Sequence, residues 1–364
     1  VIADLEEVLA DQGRLRGVIK DELIEVRDRY AEPRRSRIVH DPGELDIEDL
    51  IDDEEMVFAM SSSGYVKTMS VTEFRTQGRG GKGVTGARLK EEDAVSHLIH
   101  TTAHAYLLFF STRGRVYRLK AHEVPMAGRT ARGTSIVNLL PLQPDERVQA
   151  VIDTRDYETH RYLFFATRSG RVKKTLFTAY DSSLKAGLIA VKLNDGDELV
   201  AVVPTSGDDD LLLVSRSGQT LRIGEGDVRA MGRSAAGVRG MGFRGDDELV
   251  SCAVVRPGAS VFHLTTEGYG KRTDIEEFTR KGRGGLGVRG IRTTDDRGHV
   301  AGALVVDEAD DVFAITTGGM IIRMPVADIS IQGRDATGVA VMSPGEGNEV
   351  AAVSPVPSQD EDPD

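Results

Sequence analysis

The 364-residue sequence predicts an all-β fold, a six-bladed propeller of four-stranded antiparallel blades preceded by a short helical segment. Three observations carry that prediction. A strand-like run, a turn glycine and a second run bearing cations recur six times. Each pair is followed by a seven-residue loop that closes on another glycine. Val, Ile, Phe and Tyr fill the runs and glycine punctuates them, which favours hairpins over helices.

Residues 1–39 come first and read as helical. "DLEEVLADQGRLRGVIKDELIEVRDRY" spaces Leu5, Val8 and Leu9, then Val18, Ile19, Leu23, Ile24 and Val26, at helical intervals. Two amphipathic helices are expected, broken near Gly13 and ended by Pro33. A chain that starts at a valine inside such a pattern is expected to be a piece of a longer protein. Residues 40–55 are acidic and read as a linker or docking strap.

The propeller is expected over 56–356. Its six openings are "MVFAMSSSGYVKT", "YLLFFSTRGRVYR", "YLFFATRSGRVKK", "LLLVSRSGQTLR", "VFHLTTEGYGKR" and "VFAITTGGMIIR", with turn glycines Gly64, Gly114, Gly170, Gly218, Gly268 and Gly319 spaced 48 to 56 residues apart. The loops QGRGGKG, AGRTARG, DSSLKAG, MGRSAAG, KGRGGLG and QGRDATG close on Gly83, Gly133, Gly187, Gly237, Gly287 and Gly338. A third β-like run, an acidic turn and a fourth run complete each unit. One such sheet cannot cover its own apolar faces, so six must pack around an axis. Residues 357–364 are expected to form an acidic disordered tail.

Charge is unevenly placed. The net −12 divides into −10 over residues 1–55, −6 over 346–364 and +4 between them. An acidic chain thus contains a mildly basic domain. Four residues past the turn glycines stand Thr68, Arg118, Lys174, Arg222, Arg272 and Arg323, with Lys67, Lys173 and Lys271 one step earlier. Equivalent positions of a propeller lie on one ring. With Arg113, Arg115, Arg168, Arg171 and Arg216 near the same turns, the expectation is a basic belt, broken at each blade boundary, suited to the phosphates of a curved duplex. No Trp and 5% aromatic residues argue against single-strand stacking. A solvated rim of cations is the alternative.

Other chemistry finds little support. G-x-G-x-x-G occurs at Gly78, Gly80 and Gly83, and at Gly282, Gly284 and Gly287, but a dinucleotide fingerprint must open a helix and these loops lead into strands. Lys82 is followed by glycine where a Walker loop needs a hydroxyl. His97, His100 and His104 lie on a strand and its turn, with the first two on opposite faces, so no metal site is expected. Single Cys252 excludes disulfides and is expected to be buried. No nucleophile stands beside a plausible base. The chain has no run of 18 apolar residues and no signal-like start, which leads to the expectation of a cytoplasmic protein without a membrane partner.

Gln77, Gly78, Arg79, Gly80, Gly81, Lys82 and Gly83 resemble the gyrase-A box, a heptapeptide usually written QRRGGKG, with Gly78 where the family commonly has arginine. Lys281, Gly282, Arg283, Gly284, Gly285, Leu286 and Gly287 are similar to a second, degenerate box, with Lys281 in place of the glutamine and Leu286 in place of the lysine. "RGVIKDELIEVRDRYAEPRRSRIV" looks like the end of the gyrase A core helices. The chain is thereby similar to the C-terminal region of the bacterial DNA gyrase A family. That resemblance implies a β-pinwheel whose blades exchange strands and whose rim wraps double-stranded DNA with positive handedness, enabling negative supercoiling. It implies that the box joins first and last blades, and that the partners, near the nucleoid, are the gyrase A core dimer and the gyrase B subunit. It implies no cofactor in this fragment, the ATP, Mg²⁺ and catalytic tyrosine of the holoenzyme lying outside it. Two alternatives stay open: a topoisomerase IV pinwheel that binds DNA without strong wrapping, and a protein-binding kelch or WD propeller.

Overall fold

The computed structural model describes residues 2–32, 51–70, 95–128, 131–157, 160–181, 187–318 and 320–356. Most of the expected linker, the expected tail and the sixth turn glycine, Gly319, lie outside the described residues. The chain divides into two units between Leu50 and Ile51. The first holds helices Ile2–Ala10 and Gln12–Tyr30. The break falls at Asp11, whose extended backbone and side-chain bond from the Gly13 amide (2.7 Å) cap the second helix. Neither helix buries a residue; Leu5, Leu9, Leu23 and Val26 are exposed.

The second unit is the six-bladed propeller. Each blade begins with a hairpin: Glu55–Ser61 with Tyr65–Ser70, Tyr106–Ser111 with Arg115–Lys120, Tyr162–Thr167 with Arg171–Leu176, Asp210–Ser215 with Gln219–Gly224, Ser260–Thr265 with Tyr269–Asp274, and Asp311–Thr316 with Ile321–Pro325. A third strand, such as Val148–Asp153 or Leu249–Val254, adds to the free side of the first. These third strands touch one another from blade to blade and so form the inner ring.

The fourth strand is not the blade's own. Thr134–Ser135 pairs with Tyr65–Val66 of the preceding blade, and Leu188–Ile189, Val238–Arg239, Val288–Arg289 and Val339–Ala340 repeat the pattern. The repeat by itself suggests four strands per unit; the resemblance implies exchange, and exchange is what occurs. The sixth sheet shows three strands among the described residues.

Hydrophobic runs such as "YLLFFS" lack alternation because both faces of each blade are covered. Leu107 and Phe109 pack into a cluster with Phe58 and Met60 of the first blade, whereas Leu108 and Phe110 pack with Leu163 and Phe165 of the third. The core is therefore a set of wedges between neighbouring blades, five of them among the described residues. At the foot of each first strand the register shifts by a bulge beside a hydroxyl residue, for example Ser111 or Ser215. That hydroxyl accepts the amide just past the turn glycine, as in Arg115 N to Ser111 Oγ at 3.3 Å. His104 anchors the entry of the chain: its amide donates to Asp53 Oδ1 (2.9 Å), and its Nε2 lies 2.7 Å from the Ile51 carbonyl.

Candidate nucleic-acid interface

Within a blade the strands run from the inner ring through the hairpin to the donated strand, which is the outermost. The seven-residue loops lead straight into those donated strands, so loops and strand exchange together make the outer edge. Closing glycines are required there by geometry. Gly237 has φ +77°, and a Cβ on it would meet the Val172 carbonyl oxygen of the neighbouring blade at 2.4 Å.

The lysines of the expected belt do not reach that edge as surface charge. Lys67, Lys173 and Lys271 are buried, each reaching carbonyls of the next blade's loop, and Lys173 also one just past the strand its own blade donates. Lys67 Nζ donates to Gly128 and Ala131 at 3.2 and 3.1 Å. Lys173 Nζ donates to Ala190 and Arg233 at 2.5 and 2.6 Å, and Lys271 Nζ to Gly333 and Arg334 at 2.7 and 3.3 Å. Burial, with Arg233 nearby, lowers the Lys173 ammonium to about 7; burial lowers Lys271 to about 8. These lysines staple loops to blades. A signal for this was present in the sequence: three residues past the turn glycine, Lys67, Lys173 and Lys271 alternate with Tyr117, Leu221 and Ile322, so charge falls in every second blade.

Cations one residue further on are also internal or paired: the side chains of Arg118, Lys174, Arg222 and Arg323 each reach diagonally to the first residue of their own blade, two places along from their register partner. Lys174 is buried over the Tyr162 ring and beside Glu225 (3.5 Å). Arg272 is buried with its guanidinium on the Ile329 and Ala327 carbonyls. Arg118 stacks 3.4 Å from the Tyr106 centroid and pairs with Asp181 at 2.8 Å. Arg222 pairs with Asp210 at 2.9 Å and Arg323 with Asp311 at 2.5 Å. The basic belt expected from the spacing is thus corrected at these positions: a cation beside an aspartate, an aromatic ring or a neighbour's carbonyls is bound where it stands.

At the turns, Arg168 lies near Glu198 and Glu248, and Arg216 near Glu248. Arg113 donates to Gln143 Oε1 and the Pro144 carbonyl, Arg115 to the Gly187 carbonyl, and Arg171 to the Ala236 and Gly237 carbonyls. Arg113 and Arg171 thereby donate to neutral oxygens, and Arg171 does so beside the donated strand Val238–Arg239.

The heptapeptide at 77–83 lies outside the described residues. The second, at 281–287, is described. Lys281, Gly282, Arg283 and Gly285 are exposed, while Gly284, Leu286 and Gly287 are half-buried. Arg283 donates to the Asp227 and Arg239 carbonyls (3.1 and 3.2 Å), and Gly285 accepts from the Gly242 amide (2.8 Å). The same loop-to-loop bond recurs as Lys192 N to Ala235 O and Arg292 N to Ala336 O. Sequence reasoning missed Arg132, Arg239 and Arg289, which are exposed on the loops or donated strands. Strand exchange puts them at the edge, and no single repeat reveals it.

The chain matches the model of the family described as "DNA gyrase C-terminal domain, beta-propeller" six times, over residues 55–102, 105–155, 161–206, 209–256, 260–307 and 310–357. It is 46% identical to the DNA gyrase A protein of Mycobacterium tuberculosis (strain CDC 1551 / Oshkosh), covering 97% of this chain and 42% of that protein. It is 43% identical to the DNA gyrase A protein of Salmonella typhimurium, covering 96% of this chain and 40% of that protein. The chain thus spans less than half the length of these curated relatives. Among solved structures it resembles a C-terminal domain of DNA topoisomerase IV (TM-score 0.73, 26% identity, 84% of this chain and 94% of that one). It also resembles a DNA gyrase A C-terminal domain (TM-score 0.66, 26% identity, 83% and 99%).

Proposed function

We propose, for a chain that belongs to the DNA gyrase C-terminal β-propeller family, that the outer edge binds double-stranded DNA without reading its sequence and wraps it with positive handedness. The observation that carries this reading is the placement of guanidiniums, which are permanent cations, at successive blade seams: Arg115, Arg171 and Arg283 are each held in position by backbone carbonyls. Phosphates need point charges at a fixed spacing and nothing more. Wrapping would present a contiguous DNA segment to the rest of a type II topoisomerase. The gyrase A core dimer and the gyrase B subunit would be its partners, with ATP, Mg²⁺ and the catalytic tyrosine supplied outside this chain. No helix of the described residues is long and apolar enough to cross a membrane, and a cytoplasmic, nucleoid-associated place is part of the same proposal. Likeness to the topoisomerase IV domain supports a second reading, DNA binding without strong wrapping.

Relaxing a nicked plasmid with ligase in the presence of the chain separates the two. Wrapping leaves topoisomers of positive writhe in proportion to bound protein. Binding that leaves the topoisomer distribution centred where it was would reject wrapping.

A further inference from the structure

Asp335 sits three residues before the closing glycine of the sixth loop, where the other five loops have Gly80, Thr130, Leu184, Ser234 and Gly284. It alone brings a carboxylate to that position. Its two oxygens are divided between two guanidiniums: Arg289 Nη1 donates to Oδ1 and Arg292 Nη2 to Oδ2, both at 2.5 Å. Arg289 stands on the donated strand Val288–Arg289 at the outer edge. Arg292 is tied to the same loop through its amide, which donates to the Ala336 carbonyl at 3.0 Å. Lys271 staples the loop from beneath at Gly333 and Arg334. Arg289 and Asp335 line a surface hollow of about 460 Å³ shared with Glu277 and Arg334, themselves 3.7 Å apart. Hydrogen bonds from Arg289 and then Arg292 hold the Asp335 carboxyl below the usual carboxylate range, so it is charged at neutral pH.

Two oxygens of one anion spread over two guanidiniums is the arrangement that a phosphodiester's two non-bridging oxygens would take. The side chains of Asp335, Arg289 and Arg292 are each at least half exposed (63%, 50% and 50%), where an ion pair is weak and screened and can be exchanged. We propose that Arg289 and Arg292 form a phosphodiester site on the outer edge and that Asp335 occupies it as a built-in competitor, so that this sector engages DNA only when a backbone phosphate displaces the carboxylate. The inference rests on the DNA-binding reading.

The test measures binding of the 364-residue chain to a random-sequence duplex across a salt series. Serine is the replacement of choice, because the fourth loop carries Ser234 at this position within the same described fold. D335S is expected to bind several-fold tighter at 100 mM salt, with a log–log slope steeper by about one to two, since each phosphate contact contributes about 0.9. The same substitution in an R289A/R292A background is expected to give no gain. A D335S chain that binds no tighter, or a gain that persists without the two arginines, overturns the proposal. A wild-type slope near zero would instead remove the DNA-binding reading and this site with it.

Discussion

Lys173 shows how a residue chosen for its charge can serve a different end. Its ammonium is buried among the carbonyls of Ala190, Gly232 and Arg233, and replacing it by methionine would remove the Arg233 carbonyl's donor, whereas Ala190 keeps the Tyr180 hydroxyl and Gly232 the Ala235 amide. Buried polar groups stripped of a partner cost roughly 1 to 3 kcal/mol, so K173M is expected to melt several degrees lower. The pH dependence has a definite sign. Burial holds the folded pKa near 7 while the unfolded value is that of ordinary lysine, 10.5. Between them the unfolded chain carries the proton and the folded chain does not, so this residue's contribution to stability rises with pH over that window. Thermal melts at pH 7 and pH 9 should show the gap between wild type and K173M widening in favour of wild type. A gap that stays the same would mean that the buried ammonium keeps its proton through its carbonyl contacts.

At the scale of the element, the donated strand and its loop form the unit that joins blades. The loop must turn back at a left-handed residue and then pass close beneath a neighbouring strand, which is why the closing position reads glycine in all six copies. G237A is expected to destabilise by about 1 to 2 kcal/mol from the backbone conformation alone, and by more because of the 2.4 Å approach to the Val172 oxygen. Denaturant unfolding of G237A beside G196A makes the comparison, since Gly196 has φ +76° but open space around its Cβ position. Equal losses would show that the close approach contributes nothing. The alternation of lysine with Tyr117, Leu221 and Ile322 was legible as a pattern. Its meaning was not, because only the exchanged loop supplies the carbonyls that the lysines meet.

Wrapping is a property of the whole molecule. Bending 20 to 30 base pairs by 40 to 90° costs about 1 to 6 kcal/mol, and a few scattered contacts cannot hold such a bend. On the proposed reading, the heptapeptide at 77–83 completes the ring of contacts through Arg79 and Lys82. A holoenzyme reconstituted with R79A/K82A should therefore lose negative supercoiling while retaining most of its relaxation activity. Loss of both together would assign the heptapeptide a role in folding or in strand passage instead of wrapping.

Much of the order of the elements was readable in the amino acids: two helices, six hairpins, the glycines that close the described loops and the matching hydrophobic runs. Each of these depends on contacts within a few residues, through turn conformation, capping and strand propensity. Which cations face solvent was decided only by the assembled propeller. Lys67 and Arg115 lie two places apart on equivalent strands of their hairpins, yet one is buried under the next blade's loop and the other bonds the closing glycine of its own next blade's loop. Burial and electrostatic pairing depend on which blade a loop is donated to, and the loop carbonyls that the lysine staples meet lie 59 to 64 residues away in the chain.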